Sequence, residues 1–270
     1  MPSRVRSCKP RFTGILLLAL SCSTALADEG GGGAPARGAY VGLFGGGGVS
    51  STDTVTQFGT VFFPEAMGGP LSVNAKGRSD SNGVGLVGLQ LGHEWSYGAS
   101  LLPAVEIEGF YLAGKQRARL DNFSGRLPEN TFDNTFPMNN AVLLANVVLS
   151  FRTPYQSITP YVGGGIGAAR ISIKGADSAQ ISPPEAGINH FNSGPDSSSW
   201  GFAAQAKGGV RVALSNNAYV FAEYRYLFVD STDQTFGPTV DPTHAPTTNW
   251  TVRFTDMSHH LAVGGIGFKF

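Results

Sequence analysis

Two short stretches of the chain combine histidine with serine, the base and nucleophile of hydrolytic acyl transfer. The first, HFNSG, places His190 three residues before Ser193, and the second, SHH, places His259 and His260 directly after Ser258. The first stretch has the composition of a loop. The second lies close to a predicted strand, where adjacent side chains face opposite sides. His259 and His260 therefore cannot join one site, and packing or rim positions are favoured over catalysis.

Other sequence signals for cofactor or metal chemistry are weak. The run GGGIGA at residues 163–168 fits the glycine pattern of a dinucleotide-binding turn. That turn must join a strand to a helix, whereas this run lies inside a predicted strand, where glycine permits bending and close approach. No metal-ligand spacing and no Asp-rich calcium loop occurs in the sequence. We therefore predict no catalytic residue, no cofactor and no metal site, and we expect that the chain is not an enzyme.

The N-terminal segment has the three parts of a secretory signal peptide. Basic residues precede the apolar core GILLLALSCSTA, and the small-residue triplet ALA follows it at residues 25–27. We predict a signal peptide over residues 1–27, cleaved after Ala27, and a flexible lead-in over residues 28–37. A lipoprotein site at Cys22 is an alternative, although the position three residues earlier is Ala19, where leucine is preferred.

The composition favours short strands and turns. Charged residues make up 14% of the 270 residues, and the chain has 37 Gly and 16 Pro. Cleavage after Ala27 removes both cysteines and four cations, which leaves 15 Lys and Arg against 19 Asp and Glu, a net charge of −4. The mature chain thus has no disulfide and no basic excess for nucleic acid. Beyond residue 27, no apolar run is long enough for a transmembrane helix.

Eight segments of the mature chain alternate between apolar and polar or small residues. They are residues 38–49, 82–95, 102–113, 140–152, 158–172, 200–214, 218–230 and 258–270. Each is close to the length of about 9–11 residues of a tilted membrane-spanning strand. The connections alternate between short, such as SYGASL, TPYQS and SNN, and long, at residues 50–81, 114–139, 173–199 and 231–257. Outer-membrane barrels have short periplasmic turns and long external loops. The pattern predicts an all-β fold, an eight-stranded antiparallel up-and-down transmembrane β-barrel over residues 38–270.

Few charged residues lie within the predicted strands, too few to cover a water-soluble barrel. An Arg or Lys that faces lipid at mid-depth costs about 2–4 kcal/mol, so these residues should face the lumen and pair there. The predicted lumen charge network comprises Glu106, Glu108, Lys207, Arg211, Glu223 and Arg225. Rim positions remain an alternative for Glu94 and Lys269.

Aromatic residues fall near both ends of the predicted strands, as expected for the belts at a membrane interface. Those at the short-turn ends are Trp95, Tyr97, Tyr155, Tyr161 and Tyr219, and those at the long-loop ends are Tyr111, Trp200, Tyr226 and Phe228. In the first long connection, Phe58, Phe62 and Phe63 either contact a partner or continue the strands above the bilayer.

The chain resembles small outer-membrane β-barrel proteins of the OmpA/OmpX type. The resemblance spans about residues 38–270 and rests on YVGLFGGGG, VEIEGFYLAG, TPYVGGGIGAA and the last strand. Gly265, Phe268 and Phe270 match the C-terminal signal that the barrel-assembly machinery reads, although Val263 stands where that signal has a polar residue. The resemblance implies a Gram-negative outer membrane, contact with outer-membrane lipid and lipopolysaccharide, and insertion by that machinery. Some such barrels are lipid A deacylases with Ser two residues after His; here that position is Asn192.

The resulting functional prediction is a monomeric envelope protein with a structural and surface-interaction role through four long extracellular loops. A narrow porin-like channel or small-solute uptake barrel is the main alternative, and a lipid-modifying enzyme is the third. An extracellular ligand is possible but the sequence does not identify one, and no nucleic acid partner is expected.

Overall fold

The computed structural model describes residues 38–95, 100–155 and 157–270. The predicted signal peptide (1–27), the lead-in (28–37) and Tyr97 lie outside the described residues. Within the described ranges, no helix has both the length and the apolar composition needed to cross a membrane.

Eleven strands and one short 3-10 helix make up the regular structure of these residues. The strands are β1 (Ala39–Val61), β2 (Leu71–Ser79), β3 (Asn82–Glu94), β4 (Leu101–Asn122), β5 (Thr131–Phe151), β6 (Ile158–Ile173), β7 (Asp177–Ser182), β8 (Ser197–Ala213), β9 (Ala218–Val229), β10 (Thr232–Phe236) and β11 (Trp250–Lys269). The 3-10 helix, Glu65–Met67, lies between β1 and β2.

Eight of these strands form a closed antiparallel ring in the order β1-β3-β4-β5-β6-β8-β9-β11. The last strand pairs with the first in a constant register that runs from Tyr40 opposite Lys269 to Phe58 opposite Thr251. Because every strand has two neighbours, the ring has no open edge with unpaired backbone groups. The predicted all-β, eight-stranded antiparallel up-and-down fold is confirmed.

The strands at the long-loop end of the ring are longer than the sequence predicts. β1 continues to Val61, β4 to Asn122, and β11 begins at Trp250, all within segments that we predicted as loops. The short strands β2, β7 and β10 pair with these extensions. Phe58 therefore continues β1, whereas Phe62 and Phe63 follow its end. The remaining connections at this end include residues 183–196 between β7 and β8, and residues 237–249 between β10 and β11.

Side chains alternate between the outside and the inside of the ring along most of β4, β5 and β9. On β4, Val105 and Ile107 are each 49% exposed, whereas Glu106 and Glu108 between them are buried. The same alternation places Gln205 and Lys207 of β8 and Glu223 and Arg225 of β9 inside. The alternation of polar and apolar residues along these strands thus gives the ring a polar interior and an apolar exterior.

A second, apolar core fills the ring at the long-loop end. The ring of Phe136 on β5 lies 4.9 Å from Phe254 on β11 and 6.0 Å from Phe236 on β10, measured between centroids. Phe191, from the loop at residues 183–196, stacks on Phe236 at 4.5 Å. Trp250 is also fully buried in this cluster. The loop therefore packs into the end of the ring and covers it.

Candidate functional site

The centre of the ring contains an ion-pair network that spans the interior. Glu106 and Glu108 project from β4, and Lys207 projects from β8, which is separated from β4 in the ring by β5 and β6. The Lys207 Nζ lies 2.5 Å from Glu106 Oε1 and 3.3 Å from Glu108 Oε1. The ammonium group therefore joins strands that share no backbone hydrogen bonds.

Arg225 of β9 occupies the same level and is completely buried. Its Nη2 lies 2.5 Å from Glu108 Oε1, and its Nε pairs with Glu223 Oε1. The guanidinium carbon lies 4.2 Å from the centroid of the Phe44 ring, so the cation also stacks on an aromatic face. These contacts compensate a charge that would otherwise be costly to remove from water.

Neutral amides complete the central network. Asn146 Nδ2 donates to Glu106 Oε1 at 3.1 Å and to Glu108 Oε2 at 3.0 Å. Gln205 Nε2 donates to Glu108 Oε2 at 2.5 Å. The carboxylate oxygens of Glu108 thus have both charged and neutral partners, which is the condition for a stable buried ionic group.

A second ionic cluster lies towards the short-turn end. Arg211 Nη1 lies 3.0 Å from Glu94 Oε2, and Lys269 Nζ lies 2.8 Å from Glu94 Oε1. Glu94 and Lys269, for which rim positions remained open, are thus buried and paired. Across the described residues, the buried side chains include four carboxylates and four Lys or Arg cations. The interior is consequently balanced in charge.

Three tyrosines surround Arg211, and two of them correct the predicted aromatic belt. The guanidinium carbon lies 5.1, 4.7 and 5.5 Å from the ring centroids of Tyr40, Tyr161 and Tyr219. Tyr161 and Tyr219 are buried at inward positions, so their predicted outward orientation is wrong. The Tyr161 hydroxyl donates to Glu223 Oε2 at 2.6 Å, which links the two ionic clusters. From its inward position, Tyr161 both donates a hydrogen bond to Glu223 and stacks on the guanidinium of Arg211.

The other predicted belt residues with described side chains lie on the outside. Trp95 and Tyr155 are exposed near the short-turn end, and Tyr111, Trp200 and Tyr226 are exposed towards the long-loop end. Phe228 is partly exposed. These rings face away from the interior at two levels of the cylinder.

The serine and histidine residues do not form a nucleophile–base pair. The Ser193 hydroxyl donates to the Pro238 carbonyl, and the Ser258 hydroxyl lies 3.1 Å from the hydroxyl of Ser51. His259 is buried and His260 is exposed, as their alternation requires. In the described ranges no serine hydroxyl hydrogen-bonds a histidine ring. This arrangement supplies no activated nucleophile from these candidates.

The residues of the predicted assembly signal lie in β11 and directly after it. Gly265 pairs with Phe44, and Phe268 pairs with Val41, on the strand that closes the ring. The backbone N–H of Phe270 donates to the Ala39 carbonyl at 2.9 Å, and the Phe270 side chain is exposed. Recognition of these residues by the assembly machinery stays a prediction.

Comparison with known proteins gives similarity to solved structures only. No family model matches the chain, and no curated protein matches it. Neisserial surface protein A is 17% identical, with 86% of this chain and 97% of that chain covered and a TM-score of 0.35. OprG from Pseudomonas aeruginosa is 14% identical, with 88% and 98% covered and a TM-score of 0.40. The protease OmpT from Escherichia coli is 10% identical, with 86% and 97% covered and a TM-score of 0.37.

OprG and OmpT are outer-membrane proteins by name, the class that the sequence resemblance predicts. All three identities are below 25% and all three TM-scores are below 0.5. The fold assignment therefore rests on the strand pairings of this chain.

Proposed function

We propose that this chain is an integral outer-membrane β-barrel protein of a Gram-negative envelope, with a structural and surface-contact role. The observation that supports this most strongly is the apolar exterior of the ring. Large hydrophobic side chains are exposed on every strand of the ring; examples are Leu43, Leu89, Ile107, Leu143, Ile166, Phe202, Tyr224 and Ile266. A water-soluble monomer rarely exposes apolar patches larger than a few hundred Å². Lipid hydrocarbon, rather than water, is therefore the favourable environment for this surface.

The apolar exterior has a height appropriate for a bilayer. On β4, the outward side chains from Leu101 to Ala113 carry no charge, and Lys115 is the first outward ion. At about 3.3 Å per residue and a tilt of about 40°, this stretch spans about 30 Å across the membrane. Towards the long-loop end, Arg117, Arg119 and Asp121 continue the outward positions of β4. The change from apolar to ionic side chains marks the proposed outer boundary of the membrane.

The filled interior supports a structural role over conduction. The central ion pairs are followed towards the long-loop end by the buried Phe44, Phe110 and Leu144, and then by the aromatic core around Phe136. An eight-stranded barrel is just wide enough for side chains to fill. A narrow channel or small-solute uptake barrel is the competing function.

Single-channel recording in planar bilayers separates these two functions. We expect no steady conductance from the purified protein, because charged and aromatic side chains occupy the lumen at successive levels. A porin of known conductance, purified in the same detergent, provides the positive control. A reproducible unitary conductance that disappears when the protein is omitted would favour the channel.

A basic strip lies just beyond the proposed outer boundary. It consists of Lys76 and Arg78 on β2 and of Lys115, Arg117 and Arg119 on the adjacent β4, all exposed. Arg78 is directly opposite Arg119 in the strand register, an unfavourable like-charge pair. Among the described residues, no member of the strip forms an ion pair within 4.0 Å. We propose that the strip binds phosphate groups of lipopolysaccharide in the outer leaflet.

The double variant Arg117→Ala/Arg119→Ala tests this contact. We expect its affinity for lipopolysaccharide to fall by about tenfold at low salt, with a smaller difference at high salt because ions screen exposed charges. Fluorescence titration with labelled lipopolysaccharide in detergent measures the affinity. Lys174→Ala/Arg253→Ala removes two exposed cations elsewhere and should bind normally. Equal losses in both variants would refute the contact, and so would an unmodified protein that binds dephosphorylated lipopolysaccharide as tightly as the phosphorylated form.

A further inference from the structure

Two loops at the long-loop end bring together a carboxylate and two imidazoles. Glu185 and His190 belong to the loop at residues 183–196, and His244 belongs to the loop at residues 237–249. His190 Nε2 lies 3.5 Å from Glu185 Oε2, and His244 Nε2 lies 3.9 Å from the same oxygen. One ligand atom from each residue lies within 4.8 Å of the other two. The three side chains therefore converge on one point.

Both imidazoles are oriented by backbone carbonyl groups. His190 Nδ1 lies 2.8 Å from the Ser178 oxygen, and His244 Nδ1 lies 2.6 Å from the Ala245 oxygen. A carbonyl can only accept, so each Nδ1 carries the proton and donates it. In the neutral ring the lone pair is then on Nε2, the atom that faces Glu185. A carbonyl on one ring nitrogen and a free lone pair on the other is the arrangement of a metal-binding histidine.

The site is held in place independently of any ion. His190 is 2% exposed, and its ring lies edge-on to Phe132 at 5.3 Å between centroids. The Thr239 hydroxyl donates to the His190 carbonyl at 3.0 Å. Asn192 Nδ2 donates to the Val240 carbonyl, and the Val240 N–H donates to Asn192 Oδ1, both at 2.9 Å. The two loops are thus joined before a ligand binds, which reduces the entropy cost of binding.

Glu185 provides an independent indication of a missing partner. Its Oε2, the atom that both histidines face, is buried and accepts no hydrogen bond among the described residues. The side chain as a whole is 33% exposed, so the cluster also has a path to solvent. Two ligands about 2.0–2.2 Å from a tetrahedral metal ion are separated by about 3.4 Å. The two separations that involve Glu185, 3.5 Å to His190 and 3.9 Å to His244, are close to this value.

We propose that Glu185, His190 and His244 form a three-ligand site for a divalent transition metal ion of the Zn²⁺ class, with a fourth position open to water. Imidazole nitrogen suits Zn²⁺ and its neighbours, whereas Ca²⁺ and Mg²⁺ prefer oxygen ligands. The bound ion would bridge the two loops that cover the aromatic core. The site is separate from the ion-pair network and from the basic strip.

Protons compete with the metal for the same lone pairs. In the metal-free protein, the close approach of the His190 ring is the main cause that lowers the pKa of the Glu185 carboxyl, and His244 adds to it, against burial and the nearby Asp241. The carboxylate is therefore ionised at neutral pH.

Isothermal titration calorimetry tests the proposal. Zn²⁺ is added to the full-length untagged protein in detergent, and the heat of binding is measured. We expect one Zn²⁺ per chain, and a loss of affinity of at least about 100-fold in both Glu185→Gln and His244→Gln. His93→Gln, at the short-turn end, is the matched control and should bind like the unmodified protein. Both test substitutions affect partly exposed side chains, and an unchanged heat-modifiable gel shift would verify that the ring is intact.

A second measurement reports the ligand set directly. Bound Co²⁺ should give the intense visible absorption of low-coordinate nitrogen and oxygen ligation, and the two test variants should lose it. Absence of stoichiometric Zn²⁺ binding would overturn the proposal and leave an ordinary ion-pair cluster. Binding that is equally strong in Glu185→Gln and His244→Gln would also overturn it.

Discussion

Arg225→Met lowers the free energy of unfolding of the ring by about 3–5 kcal/mol, because it leaves buried carboxylates without their cation. Glu108 and Glu223 both pair with Arg225 in the centre of the ring. Lys207 still neutralises part of this charge, but it cannot replace the contacts of the guanidinium. Methionine approximates the length of the arginine stem, so the effect reports the lost charge more than a cavity. Urea titration in lipid vesicles, followed by tryptophan fluorescence, measures the difference.

Arg253→Met is the matched control for this substitution. Arg253 pairs with Asp233 through two hydrogen bonds of 2.7 Å, but both side chains are about half exposed. Exposed ion pairs contribute about 0–1 kcal/mol, so this variant should unfold almost like the unmodified protein. Equal stabilities of the two variants would show that the network contributes no more than a surface pair.

Leu143→Arg should destabilise the inserted protein by about 2–4 kcal/mol, because it places a guanidinium in hydrocarbon. Leu143 lies on β5, points outward and is 60% exposed in the isolated chain. In water the same substitution on an exposed position would have almost no effect on stability. The fraction of protein that folds into vesicles at increasing urea concentration measures the loss.

The control for the membrane-facing substitution is Val240→Arg. Val240 is 66% exposed but lies in the loop at residues 237–249, outside the proposed bilayer. Its substitution should change stability by less than about 0.5 kcal/mol. If Leu143→Arg were equally harmless, the exterior of the ring would not contact lipid.

Strand alternation made the ring and its interior predictable from the sequence. In VEIEGFY and YVFAEYRYLF the charged residues recur at every second position, so their shared face can be read directly. The closing strand was also predictable, because an open edge in lipid leaves backbone groups unsatisfied. Glu108 and Arg225 could be assigned to the lumen, but their pairing depends on the register of strands far apart in sequence.

Other features could not be read from local patterns. Tyr161 belongs to a glycine-rich strand whose small residues carry no face preference, and its inward position emerges only from pairing with β5 and β8. In the strand extensions at the long-loop end, the inward side chains are still apolar but the outward side chains are polar. These segments therefore resemble loops in composition. Glu185, His190 and His244 have no metal-ligand spacing because two separate loops supply them.

The most direct test of the membrane-facing exterior is the accessibility of spin labels along β5. Removal of residues 1–27 leaves no cysteine in the chain, so single substitutions of Leu143, Ala145 and Val147 can each carry one label. In reconstituted bilayers, these three outward positions should show high collision with oxygen and low collision with a water-soluble nickel complex. A label at Val240 should show the reverse. If labels at positions 143, 145 and 147 collided with the nickel complex as readily as the label at position 240, the exterior would face water and the account would be wrong.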